Sequence, residues 1–257
     1  METPEPSPDV TPAPRPEAVL LIGPTGSGKT PLGDLLEACG LWGRRGLHFD
    51  FGVRLRQCAA GEGPAGLLAR HQCDLLERML RDGALLEDEH FPIAERLLRG
   101  FLAARGAGAG DLVVLNGLPR HAGQARDIEP IVAVRAVIHL ACPAPVAARR
   151  IRGDVGGDRA GRRDDGTEGV RRRIDVFRER TQPLAAWYAD RGAAVLELCV
   201  GPATTAEALR EELERRRSGG LVPGVARPGG PVARVPPSGD RAGRTGQGGH
   251  GQETRQC

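Results

Sequence analysis

Lysine is nearly missing from this chain of 257 residues: among its 36 Lys and Arg residues, Lys29 is the only lysine. A GC-rich coding bias accounts for the preference for arginine. It also makes the surviving lysine informative, because it stands where an arginine would have the wrong shape. The six cysteines (Cys39, Cys58, Cys73, Cys142, Cys199, Cys257) include no CxxC pair. Such scatter argues against a zinc site or a disulfide framework and fits reduced thiols in a cytoplasm. Long apolar runs are missing too. The strongest, Ala18-Val19-Leu20-Leu21-Ile22, is far too short to span a bilayer, and the acidic, proline-rich beginning lacks the pattern of a signal peptide. Formal net charge is only +3, which demands neither a nucleic acid nor a membrane surface as partner. No internal repeat is present. A soluble cytoplasmic monomer is expected.

What is present is an ordinary globular composition, 40% hydrophobic and 27% charged, in a chain long enough to bury a full core. Residues 1–16 read as a flexible leader. Residues 218–257 carry 11 Gly and 5 Pro, with too little apolar surface to offset their ordering entropy, and read as a disordered tail. Residues 17–217 read as one domain. Runs at 17–23, 47–50, 111–117, 135–142 and 193–200 are rich in Val, Leu and Ile and bounded by Gly, Asp or Pro, as buried strands are. Helical patterns fall near 28–38, 64–82, 88–105, 121–132, 144–152, 166–190 and 203–217. This alternation predicts an α/β protein with a five-stranded parallel sheet covered on both faces.

Gly23-Pro24-Thr25-Gly26-Ser27-Gly28-Lys29-Thr30 is a full GxxxxGK[ST] match, following an apolar strand and opening a helix, the context that gives the motif its meaning. Its glycines let backbone N–H groups converge on phosphate oxygens, and the helix N-terminus adds favourable partial charge. Lys29 is expected to reach the β- and γ-phosphates, and Thr30 to offer its hydroxyl to Mg²⁺. Pro31 is tolerated in a first helical turn. The motif names the P-loop NTPase superfamily and not a reaction.

Later segments sharpen this. Val113-Val114-Leu115-Asn116-Gly117-Leu118-Pro119-Arg120, with Gln124 four residues on, resembles the "DGFPR…Q" segment of adenylate kinases. Gly161-Arg162-Arg163-Asp164-Asp165, continuing to Glu168, Val170, Arg173, Thr181, Pro183 and Leu184, resembles that family's "GR-x-DD…E-x-V…R…T-x-PL" stretch. Phe51-Gly52-Val53-Arg54-Leu55-Arg56 resembles "TGD-x-LR", and Asp82 to Glu89 resembles the "GKLV-x-DE" turn. The resemblance runs from about residue 17 to 215. It implies a three-layer α/β/α kinase with a small acceptor-binding insertion near 51–90 and a short lid near 153–165. It implies transfer of the γ-phosphoryl of ATP to AMP, with UMP, CMP or a broader choice as alternatives. Arg56 and Arg120 would hold the acceptor phosphate, Gln124 and Leu86 would border its base, and Arg162 and Arg173 would neutralise the transition state. Arg150 would face the ATP phosphates. Planar guanidinium groups suit bidentate phosphate contacts. Arg171, Arg172 and Arg178 read as a solvated face, and Asp165 with Glu168 also has the spacing of a capping box. The lid segment has neither Cys nor His, so no zinc is expected.

Three positions depart from the family pattern. Phe51 stands where a threonine borders the acceptor base. Val53 and Asn116 stand where two aspartates help hold the water shell of Mg²⁺. Asparagine can hydrogen-bond a metal-bound water but brings no charge. Asp50, at a nearby strand end, is the candidate replacement. A nucleotide-binding regulatory protein with weakened catalysis is the rival reading.

Overall fold

Five short runs of Val, Leu and Ile pair into one sheet in the computed structural model, which describes residues 15–62, 68–82, 84–157 and 166–218. The strands are β1 (Glu17–Ile22), β2 (Gly46–Asp50), β3 (Leu112–Asn116), β4 (Ala133–Ala141) and β5 (Ala194–Cys199). Their order is β2-β3-β1-β4-β5, and every pairing is parallel. The described helices are α1 (Lys29–Cys39), α2 (Phe51–Ala59), α3 (Arg70–Asp82), α4 (Phe91–Ala104), α5 (Ala122–Ile128), α6 (Ala144–Arg152), α7 (Thr167–Val176), α8 (Leu184–Ala189) and α9 (Ala206–Ser218).

The central strands β1 and β3 are apolar on both sides because both sides are covered, while β5 at the edge exposes Val195, Glu197 and Cys199. Successive side chains of a strand point to opposite faces. Ala18, Leu20 and Ile22 of β1 therefore join one core, with Leu97 and Leu98 of α4, Ile128 of α5 and Leu184 of α8. Val19 and Leu21 join the other, with Leu32 and Leu36 of α1 and Leu209 and Leu213 of α9. Burying each of these Val, Leu and Ile side chains contributes about 1.5–3 kcal/mol. This is the α/β/α layering of a P-loop NTPase.

Three helical expectations are corrected. Residues 51–59 form a helix that periodicity did not reveal; Asp50 caps it, its Oδ1 accepting from Val53 N at 2.9 Å. The helix expected over 121–132 stops at Ile128; Glu129 keeps helical dihedrals, but Pro130 has no N–H with which to continue the hydrogen-bond ladder. The single helix expected over 166–190 is three pieces: α7, a π-helical turn over Phe177–Thr181, and α8. Pro183 marks the last break, having no N–H to give an interior turn.

The expected leader through residue 14, the expected tail from 219 and most of the lid (158–165) lie outside the described residues. Pro16 carbonyl accepts from Ala133 N at 2.9 Å, so the sheet is engaged just before β1. Cys39, Cys58, Cys73 and Cys142 are free thiols.

Candidate active site

In a parallel sheet the ligand crevice lies beyond the carboxyl ends of the strands, and the Gly23–Thr30 loop leaves β1 at that end. Gly26 (φ 82°) and Gly28 (φ 93°) hold left-handed conformations that let the loop curl. A Cβ on Gly26 would also lie 2.9 Å from Ala147 carbonyl oxygen on α6. Lys29 Nζ arches back over the loop, donating to Gly23 and Pro24 carbonyls at 2.7 and 2.9 Å. Ser27 N donates to Pro24 carbonyl at 3.2 Å. Ser27 Oγ is fully buried with no hydrogen-bond partner. A buried hydroxyl in that state is unfavourable until something supplies a partner. The glycine-rich curl at the N-terminus of α1, with Lys29 arched over it, suits an anion such as a phosphate.

Beside it, three side chains meet at the tips of α1, β2 and β3. Asp50 is the register partner of Asn116 across β2 and β3. Thr30 Oγ1 donates to Asp50 Oδ2 at 2.7 Å, and Asn116 Nδ2 donates to the same oxygen at 2.8 Å and to Thr30 Oγ1 at 3.1 Å. These are hard oxygen donors of the kind magnesium prefers.

Lys29, Thr30, Arg56, Leu86, Asn116, Arg120, Gln124 and Arg173 all line one cleft with a cavity of about 200 Å³. Gly23, Thr25, Gly26 and Gly28 contribute its phosphate-loop wall; Pro24 and Ser27 belong to the same loop, Ser27 lying inside it. Arg120 reaches solvent through the cleft mouth yet has protein packed around it. Burial pulls its pKa below the ordinary arginine value, repulsion from Arg173 adds to this, and attraction to Asp50 opposes it. Arg173 turns into the cleft while Arg171, Arg172 and Arg178 are exposed.

Gln124 is 1% exposed and braces the far wall. Its Oε1 accepts from Arg120 N at 2.8 Å, and its Nε2 donates to Leu86 carbonyl at 2.7 Å. Thr181 Oγ1 donates to Arg120 carbonyl at 3.0 Å, so Arg120 is gripped at both of its backbone polar groups. Next to this, Arg180 donates twice to Glu87, at 3.2 and 2.8 Å. That hydrogen bonding holds the Glu87 carboxyl below its ordinary value.

Arg150 sits behind the loop, 5% exposed. Its Nε donates to Gly26 carbonyl at 3.0 Å, and its Nη1 donates to Gly201 and Thr204 carbonyls at 3.0 and 2.7 Å. It thus ties the phosphate loop to the segment following β5. Arg162, with Asp164 and Asp165, lies outside the described residues. The cap position of α7 is Gly166. Periodicity and motif spacing gave no sign that Leu55, Met79, Val176 and Phe177 would form the apolar walls of the cleft, because such residues look like core in a single sequence.

The arrangement can hold one polyphosphate in the loop and a second anion among three arginines, end to end. No family model matches the chain. The chain is 32% identical over 183 residues to an adenylate kinase of Xanthomonas campestris pv. campestris (strain 8004), covering 68% of this chain and 86% of that protein. It is 32% identical over 211 residues to an adenylate kinase of Xanthomonas oryzae pv. oryzae (strain MAFF 311018), covering 77% and 96%. It is 30% identical over 183 residues to an adenylate kinase of Xylella fastidiosa (strain M23), covering 68% and 86%.

Proposed function

The chain belongs to the adenylate kinase family, and from that premise we propose that it transfers the γ-phosphoryl group of ATP reversibly to AMP, giving two ADP. Membership brings phosphotransferase chemistry, nucleotide binding and the use of ATP with Mg²⁺; AMP as the acceptor is our reading. The observation that carries it is one cleft lined by the phosphate loop on one wall and by Arg56, Arg120 and Arg173 on the other.

Phosphoryl transfer asks a protein for alignment and for positive charge around the migrating group. Lys29 is placed in our reading on the β- and γ-phosphates, stabilising charge as the bond to the leaving oxygen breaks. Arg56 and Arg120 hold the acceptor phosphate, and Arg162 and Arg173 neutralise charge on the equatorial oxygens. Gln124 keeps Arg120 in place and, with Leu86, borders the acceptor base. The acceptor phosphate is already a good nucleophile, so no general base is required. Arg150 serves ATP through the loop that it holds.

Mg²⁺, when bound, would neutralise negative charge on the nucleotide phosphates. Thr30 would offer its hydroxyl and Asn116 would reach the metal through water. Among the described residues no group of three or more His, Cys, Asp or Glu could hold a metal alone. That fits a cation carried largely by the nucleotide's own phosphates.

In the same reading residues 17–217 are the kinase domain, with 51–90 as the acceptor insertion and 153–165 as a lid that excludes water on closing. The protein works as a cytoplasmic monomer without zinc. No helix among the described residues is long and apolar enough to cross a membrane.

A coupled assay of ADP formation from ATP plus each monophosphate tests this. AMP should give the highest kcat/KM. Preference for UMP or CMP would replace the acceptor. ATP binding with no transfer to any monophosphate would favour a regulatory nucleotide-binding protein instead.

A further inference from the structure

The strand next to a phosphate loop commonly ends in an aspartate that, with the loop's Ser or Thr, holds the Mg²⁺ of the bound nucleotide. In this chain that strand, β3, ends in Asn116, which is uncharged. Its register partner on the next strand is Asp50, and no other carboxylate is found among the described residues lining the cleft. We propose that Asp50 supplies the negative charge that orders the metal of bound ATP, displaced by one strand, and that Asn116 is its positioning residue. The inference rests on nucleotide binding at the phosphate loop.

The hydrogen bonds support this donor by donor. A threonine hydroxyl has one proton and two lone pairs. Thr30 gives its proton to Asp50 Oδ2 at 2.7 Å and takes one bond from Asn116 Nδ2 at 3.1 Å. One lone pair on Thr30 Oγ1 is left for a cation. Asp50 has about four acceptor sites on its two oxygens. Val53 N, Thr30 and Asn116 fill three, which leaves one. Asn116 uses its amide N–H groups to bind both partners, leaving Oδ1 as an acceptor for metal-bound water. A carboxylate at position 116 would instead meet Asp50 Oδ2 at hydrogen-bond distance with no proton to share. The asparagine is thus matched to the aspartate beside it.

Asp50 also caps α2 and attracts Arg120, so a purely structural role is the competing account. Asparagine is as good a helix cap as aspartate, and Asp50→Asn therefore removes the charge while keeping the cap. The measurement is binding of ATP to the full chain by calorimetry, across a range of Mg²⁺ including none. For Asp50→Asn, metal-free ATP should bind as tightly as to wild type or more tightly. The Mg²⁺ concentration giving half the metal-dependent gain should rise by roughly 10-fold or more. The exchanged variant Asp50→Asn/Asn116→Asp returns a carboxylate to the pair and should recover most of that response. A wild-type Mg²⁺ response in Asp50→Asn would overturn the proposal. So would an exchanged variant with a wild-type melting profile that fails to recover it. ATP that binds wild type neither with nor without Mg²⁺ would overturn the nucleotide-site reading itself, and this inference with it.

Discussion

The two walls of the cleft are built by different means. On the phosphate-loop wall, backbone carbonyls receive Lys29 and Arg150, and the loop sits directly on strands with fully buried side chains. On the acceptor wall, Leu76 is the one fully buried residue among the described side chains of α3, and the turn at 84–90 adds to its buried Leu85 and Leu86 the side-chain ties of Gln124 to Leu86 and Arg180 to Glu87. Regions with few buried apolar side chains open at lower free energy than the core. One wall therefore sits on the sheet core, and the other, though anchored by Phe51, Leu85 and Leu86, depends more on side-chain hydrogen bonds. Substitutions on the first should remove chemistry without moving the fold. Substitutions on the second should weaken the acceptor side in proportion to the hydrogen bonds they break.

The largest effect is expected on the phosphate-loop wall. Lys29→Ala should lower turnover by roughly 100- to 1000-fold or more, as losing a donor to transition-state charge does, while the melting temperature stays within a degree or two of wild type. Its ammonium hydrogen-bonds the Gly23 and Pro24 carbonyls of the loop. Near-wild-type turnover would remove Lys29 from the chemistry.

On the other wall, Arg120→Ala should reduce kcat/KM for the monophosphate by about 1.5–3 kcal/mol, the value of a hydrogen bond to a charged group, or roughly 10- to 150-fold. Calorimetric affinity for metal-free ATP should change far less. Equal losses for both nucleotides would mean that the two walls are not separate binding surfaces.

Gln124→Leu tests the brace itself. It orphans the part-buried Arg120 N and leaves Leu86 carbonyl with only the longer 3.3 Å contact to His121 Nε2; a backbone group buried without its partner costs about 1–3 kcal/mol. A melting temperature several degrees lower is expected, with a raised KM for the acceptor and little change in KM for ATP. A raised KM for ATP alone would contradict the division of the cleft.

The smallest effect belongs to Glu87. Its pair with Arg180 is half exposed, and such pairs contribute about 0–1 kcal/mol. Because Arg180 holds the folded-state carboxyl below its ordinary value of 4.5, the contribution is complete above that value. It disappears as pH falls through the lower folded-state value. The difference in melting temperature between wild type and Glu87→Gln should therefore be small at neutral pH and vanish in acid. A difference that grows in acid would have the wrong sign.

The same contrast explains what was legible in the sequence. The phosphate loop is eight contiguous residues between a strand and a helix, so local pattern alone located it. The strands were equally plain: burial on both faces makes β1 and β3 continuous apolar runs, while the edge strand β5 alternates, burying Leu196 and Leu198 and exposing Val195 and Glu197. The acceptor wall depends on residues far apart in the chain, such as Leu86 with Gln124 and Glu87 with Arg180, whose pairing no local pattern announces. The helix at 51–59 was hidden for a related reason: it is short, contains Gly52, and owes its start to the Asp50 cap. Asp50 itself could be noticed as a strand-end acid, but only the β2–β3 register puts it against Asn116 and Thr30.

The central claim is that the two walls hold two nucleotides at once and pass a phosphoryl group directly between them. Initial rates of ADP formation over a grid of ATP and AMP concentrations test it most directly. Direct transfer within a ternary complex predicts double-reciprocal lines that intersect. Parallel lines, the mark of a phosphoryl-enzyme intermediate with the first product released before the second substrate binds, would contradict it, as would a rate indifferent to AMP.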